Sequence, residues 1–303
     1  MEGDDVAYLE AAATVDDRAH SAAGDAAFRE ALGVAGDADA DATADDADSH
    51  SDAVRVLEAG AGTCGLLRRL LAAVTLPTGE WVAVDTDERS LRTGRDRLHD
   101  AARAAGYGVE TEGSATSIRS PDGGRLRVRF RVADVRTVAA ESTFDGVVAR
   151  SFADLLAPGA VLDLLRTAAP DGWYHLPLTF DGETEFTPAH PADAAVVDAF
   201  HGTMRNRGRA ATLLADRFTE AGAAPTVDAR SDWVVEGDGT GGYPAAEATF
   251  LRTILDTVVA SVRESGAVAE QLLTDWEATR RAQLARGELG YVAANRDLFG
   301  RVP

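Results

Sequence analysis

The stretch Val54-Arg55-Val56-Leu57-Glu58-Ala59-Gly60-Ala61-Gly62-Thr63-Cys64-Gly65 runs into the apolar segment Leu66 to Val74 and holds the residues best suited to chemistry. It reads as a buried strand, a glycine turn and a helix start. Glycine tolerates left-handed dihedrals and leaves no Cβ in a ligand's way. The first turn of a helix presents unpaired N–H groups to a polar ligand. Two carboxylates stand at comparable places further on: Asp85 ends the run Trp81-Val82-Ala83-Val84, and Asp134 ends the run that contains Leu126, Val128, Phe130 and Val132. Acids at strand ends beside a glycine turn describe a nucleotide-type pocket.

Two readings of the turn follow. Gly60-x-Gly62-x-x-Gly65 satisfies the dinucleotide fingerprint with Asp85 as ribose acid, which describes an NAD(P)-dependent oxidoreductase. Glu58-x-Gly60-x-Gly62-Thr63 resembles the first motif of the class I, Rossmann-like S-adenosylmethionine (SAM) methyltransferases. The later acids fall in that family's order, and this is the preferred reading. The resemblance implies SAM as cofactor and a role for each matching position. Glu58 stands at the family's acid, Gly60 and Gly62 let the backbone approach the methionine part, and Thr63 adds a hydroxyl. Asp85, with Thr86 beside it, meets the ribose. Asp134 accepts the adenine amine and the Val135 N–H meets a ring nitrogen. Arg150 and Ser151 line the methionine end. The bland alternatives are helix caps, open to Asp85, Thr86 or Asp87 before one helix and to Asp134 before another. A SAM-fold partner protein without turnover is the third reading.

The acceptor side is thinner. Ala149-Arg150-Ser151-Phe152-Ala153-Asp154 lacks the Asn/Asp-Pro-Pro-Tyr/Phe that the family's base-methylating enzymes often carry. Arg205, Arg207 and Arg209 gather three guanidinium forks suited to a carboxylate or phosphate, so a small, anionic acceptor is expected. A helix-end cluster paired with local acids is the alternative. His175, His190 and His201 are candidate bases, with Arg150 as a further catalytic candidate, and Trp233 and Tyr243 are candidate lining residues near Phe250 and Glu247. Asp181, Glu183 and Glu185 lack the His or Cys spacing of a metal site, and none is expected.

Composition narrows the classes. The 303 residues carry 50 acidic against 30 basic side chains, a net charge of -20, and no lysine. Acid excess with arginine as the only strong cation resembles salt-in haloarchaeal proteins, in whose cytoplasm screening is short, about 3 Å at 1 M. It argues against nucleic acid, which needs a basic footprint. A single cysteine, Cys64, excludes an internal disulfide. The start Met1-Glu2-Gly3-Asp4-Asp5 is no signal peptide, and no apolar run approaches the ~18 residues of a membrane span. The expected location is cytoplasmic.

The elements that must position these residues alternate from Val54 onward. Strands are expected at Val54–Glu58, Trp81–Val84, the second arm of a 109–132 hairpin turning at Pro121-Asp122-Gly123-Gly124, Phe144–Ala149, Trp173–Phe180, Asp232–Glu236 and Gly290–Asn295. Helices are expected from Cys64, over Glu88–Ala105, Asp154–Ala168, Pro191–Met204, Ala210–Ala221, Pro244–Glu264 and Ala267–Arg286. This makes an α/β, Rossmann-like, mostly parallel seven-stranded sheet with helices on both faces and a helical insertion before the last strand. Residues 1–52 read as an N-terminal helical segment followed by the acidic linker Asp37–Asp52. Residues 53–303 read as the catalytic domain, with cap elements at about 181–290.

Overall fold

The computed structural model describes residues 6–34, 53–73, 76–121 and 123–303. The acidic start, the Asp37–Asp52 linker, Val74 and the turn residue Asp122 lie outside the described residues. Two helices lead the chain, α1 (Val6–Ala19) and α2 (Ala22–Ala31). The sheet then builds from β1 (Val54–Ala59), β2 (Gly79–Asp85), β5 (Arg125–Val132), β6 (Gly146–Val148) and β7 (Trp173–Thr187), which pair in parallel in the order β5-β2-β1-β6-β7. Helices α3 (Gly65–Ala73), α4 (Glu88–Ala104), α5 (Val135–Glu141) and α6 (Pro158–Ala168) make the crossovers. Strand order reverses between β1 and β6. In open α/β sheets that switch point, outside the carboxyl ends of the strands, is where ligands bind.

The sheet is larger and more mixed than expected: ten strands among the described residues, not seven. β3 (Gly108–Glu112) and β4 (Ala115–Arg119) add an antiparallel meander to β5, turning at Gly113-Ser114 as well as between Arg119 and Arg125, which pair across the expected turn. β3 is mostly exposed, so it shows no apolar alternation to mark it as a strand. At the other edge, β10 (Gly290–Arg301) runs antiparallel between β7 and β8 (Val227–Arg230), and β9 (Trp233–Val235) pairs with its first half. The sixth strand was expected at Asp232–Glu236. The structure places β9 there and adds β8 before it, the two separated at Ser231-Asp232, where Asp232 accepts the Asn295 N–H at 3.2 Å and the Ser231 N–H donates to the Asn295 carbonyl at 2.9 Å. A register shift in β10 falls between Ala293 and Asn295, so one long bent strand needs two short partners.

Three apolar clusters position the site. One face of the sheet packs against α5, α6 and α8 (Ala210–Glu220), and the other against α2, α3 and α4 around Trp81, Leu98 and Phe28. The third gathers α1, α7 (Asp193–Thr203), α9 (Glu247–Ser265) and α10 (Glu270–Ala285) against the outer parts of β7 and β10, around Phe250 and Trp276. The N-terminal helices are therefore core elements. No helix of the described chain is long and apolar enough to cross a membrane.

Candidate active site

The β1–α3 turn adopts the backbone that its glycines permit, with φ of +67° at Gly60 and +49° at Gly62, and Cys64 follows at +56°. The Gly62 N–H donates to Asp85 Oδ2 at 2.8 Å, and the Asp87 N–H donates to Asp85 Oδ1 at 3.0 Å. Asp87 caps α4 by accepting the Arg89 and Ser90 N–H groups. The cap is thus assigned to Asp87, and Asp85 is left at the ends of β1 and β2, facing a cleft. That cleft, of about 120 Å³, is shared by Gly60, Asp85, Thr86, Asp134, Val135 and Phe152. Strand-end acids 49 positions apart are brought together because β2 and β5 are neighbours in parallel register.

Other expected contacts are placed differently. Glu58 is buried and accepts the Trp81 Nε1–H at 2.7 Å; it does not line the cleft. Burial pushes its pKa up to about 7, opposed by the Trp81 hydrogen bond and the Arg150 charge. Thr63 is buried where α4 comes close: a Cβ added to Gly94 would press on its backbone. Asp134 caps α5 through the Arg136 N–H and is gripped by the Arg136 guanidinium, whose hydrogen bonds hold its pKa down to about 2. It sits at the cleft already partnered.

Three side chains cover the turn. A Cβ added to Gly60 would overlap the Phe152 ring, one on Gly65 would overlap the Arg150 guanidinium, and one on Gly62 would come within 3.2 Å of Leu9 on α1. Gly60→Ala is therefore expected to cost more than the roughly 1–2 kcal/mol of a left-handed non-glycine residue. A thermal melt showing no loss would contradict this packing.

Arg150 also reaches α1. Its Nη1 lies 3.3 Å from Asp16 Oδ2, and Asp16 Oδ1 accepts the Trp233 Nε1–H at 3.0 Å, joining α1, β9 and the loop after β6. Beyond that loop lies a cavity of about 640 Å³, walled by α1, residues 151–155, the α7–α8 segment, α9 and β10. Its size suits a small molecule, for which pockets of about 300–1,000 Å³ are usual. Trp233 and the exposed Arg205 line it, but Arg207, Arg209 and Tyr243 do not. Asn206 and Arg207 turn the chain through left-handed backbone, and the Arg209 backbone pairs with that of Asp181 in an isolated antiparallel bridge. The Tyr243 hydroxyl donates to the Leu289 carbonyl and accepts the Leu289 N–H.

None of the three candidate histidines, His175, His190 and His201, lines the cavity; His190 lies just before α7, where its N–H donates to Asp193 at 2.7 Å. His175 is fully buried beside Phe28 and Phe299, at 4.7 and 5.9 Å between ring centroids, and burial depresses its pKa to about 3. A ring whose proton affinity burial lowers this far, set apart from the cavity wall, is no base for a substrate there. His201 stands one layer behind, 2.9 Å from the Thr184 hydroxyl and against Phe180 and Phe200. Among the described residues no group of three or more His, Cys, Asp or Glu could hold a metal.

The residues that sequence reasoning missed are Tyr8, Asp16 and Asp154, all on the cavity. The signal for the first two was spacing: Tyr8, Ala12 and Asp16 recur every four residues, so an acid sits on the buried stripe of α1. Asp154 stood in the segment after the fourth strand, quoted above only for a motif that it lacks.

No family model matches the chain, and no curated protein matches it in sequence. Solved structures do resemble it in outline. A SAM-dependent methyltransferase from Thiobacillus denitrificans, in complex with S-adenosyl-L-homocysteine, is 13% identical with a TM-score of 0.46, covering 93% of this chain and 92% of that one. A cyclopropane synthase from Mycobacterium tuberculosis is 11% identical with a TM-score of 0.39, covering 82% and 78%. At such identities residue roles in those proteins do not transfer to this one.

Proposed function

We propose that this protein is a SAM-dependent methyltransferase acting on a small-molecule acceptor. The observation that carries the reading is convergence: the positive-φ glycine turn, Asp85 and Asp134 meet in one cleft at the switch point, and a larger cavity lies across the 151–155 loop. In the dinucleotide reading Asp134 has no role. The bare backbone of Gly60 and Gly62 and the Asp85 carboxylate suit a nucleoside with a polar tail, and Phe152 has to swing aside to admit one, because the cleft is below the usual ~300 Å³ of a ligand pocket. Asp85 holds the ribose hydroxyls, with Thr86 beside it. Asp134 and the Val135 N–H meet the adenine edge, and Arg150 and Ser151 line the tail.

When bound, SAM supplies an electrophilic methyl group on a sulfonium. The chain's contribution is to hold the acceptor in the cavity beside the cleft and to exclude water from both, which is catalysis by proximity and alignment. The net charge of -20 without lysine also supports a salty cytoplasm as the working environment. Residues 53–303 are read as the catalytic domain, with the N-terminal helices closing its pocket.

The test is a thermal-shift and calorimetric titration in about 2–3 M KCl, where screening is near complete, against SAM, S-adenosylhomocysteine, NAD and NADP. Stabilisation by the first two is expected, and Asp85→Ala is expected to abolish it. Stabilisation by NAD or NADP alone would sink the reading.

A further inference from the structure

The large cavity pairs aromatic walls with a carboxylate one of whose oxygens has no hydrogen-bond partner among the described residues. Tyr8, Trp233 and Tyr291 reach it from α1, β9 and β10, and all three rest on the buried ring of Phe250, at centroid distances of 5.7, 5.4 and 6.1 Å. Phe180 and Phe200 line the opposite region and are braced by His201, at 5.5 and 6.0 Å. Asp154 lines the same cavity. Its Oδ1 is buried and, among the described residues, has no hydrogen-bond partner; the Ser151 Oγ in the same loop is buried and unpartnered too.

A buried charge without a partner is costly, and a ligand that brings a cation or a donor removes that cost. Burial pushes the Asp154 pKa up to about 6, so the group is still ionised above neutral pH. The other charged groups on the cavity are few. Asp16 is buried and already held by Arg150 and Trp233, while Glu264 and Arg205 are exposed. The interior therefore presents negative charge and aromatic rings, whose quadrupoles attract cations. An anionic acceptor, expected from the three arginines, would meet repulsion here.

We propose that this cavity binds an apolar amine in its ammonium form, with Asp154 holding the nitrogen and the rings of Tyr8, Trp233 and Tyr291 around the cation. Naming that amine the acceptor rests on the methyltransferase reading; the binding site itself does not.

Three probes of one skeleton test it: phenylbutylamine, phenylbutanol and phenylbutyrate, titrated calorimetrically into the full chain at pH 8 in KCl. The amine is expected to bind at least about tenfold more tightly than the alcohol, and the carboxylate weakest. Asp154→Asn is expected to remove about tenfold or more of the amine affinity, while leaving the alcohol affinity and the SAM titration unchanged. Equal or tighter binding of the alcohol or the carboxylate, amine affinity indifferent to Asp154→Asn, or no binding by any of the three would overturn the proposal. Should Asp154→Asn fail to fold, the ranking of probes on the unaltered chain still decides. Amine selectivity without any response to SAM would leave this site standing and remove the methyltransferase.

Discussion

Arg150→Met is expected to lower stability by about 3–5 kcal/mol, the usual cost of removing one partner from a buried ion pair. Arg150 and Asp16 are 16% and 8% exposed at their side chains, so little solvent is available to replace the lost partner. The same guanidinium charge lowers the pKa of both Asp16 and Glu58, two buried acids that burial otherwise raises. Without it both carboxyls favour the protonated state still more. Each acid then has a folded pKa above its unfolded value. The stabilisation that this raised pKa represents is complete below the unfolded value and is lost as pH rises through the folded one. The variant's deficit should accordingly widen from pH 4 to pH 8. Urea melts at fixed KCl across that range measure it; a loss under about 1 kcal/mol, flat with pH, would mean that the pair behaves as a solvated surface contact. Because Arg150 ties α1 to the loop covering the glycine turn, the same variant should weaken SAM binding without touching Asp85.

Glu58→Gln is expected to have the opposite sign. Glu58 titrates near 7 in the fold against an ordinary value of 4.5. Between those values the folded chain binds more protons than the unfolded one, so stability falls as pH rises. At pH 8 the ionised, buried carboxylate costs at most about 3 kcal/mol, at 1.36 kcal/mol per pKa unit. Glutamine keeps an oxygen for the Trp81 N–H and never ionises. The variant should therefore be more stable than the parent at pH 8 and equal to it below about pH 4.5. Thermal melts at pH 4, 6 and 8 decide the matter, and a constant difference across them would place the pH dependence elsewhere. If SAM binding survives in this variant, Glu58 supports the turn from beneath and does not contact the ligand.

Part of this was legible in the residues. Strand, glycine turn and helix at Val54–Ala73 rest on local rules: a run of buried apolar residues, then positions that only glycine fills cheaply. The alternation of strands and crossover helices needs only hydrophobic period and turn chemistry, and β1, α3, β2, α4, β5, β6 and α6 fall close to their expected places, whereas α5 was foreseen only as a helix that Asp134 would cap. Composition alone gave the charge and the absence of lysine. The ten-stranded sheet was not legible, because β3 is exposed and polar, and because β8 and β9 are separate only through the register shift of a partner some sixty residues away.

Side-chain roles divide the same way. That Asp85 would stand beside the glycine turn follows from two parallel neighbours ending at the same edge. Whether Asp134 would be free or held by Arg136, whether Glu58 would face a ligand or Trp81, and whether His175 would reach solvent depend on what packs over each from distant segments. The large cavity is the clearest case. Tyr8, Asp154, Trp233 and Tyr291 come from four separate stretches of chain, and only the packing of α1 and α9 across the outer ends of β7 and β10 makes them one surface. Local sequence determines where the backbone can turn and which faces must be buried. Which charges those faces enclose is decided by long-range packing, because the cost of burying a charge depends on partners that no neighbouring residue supplies.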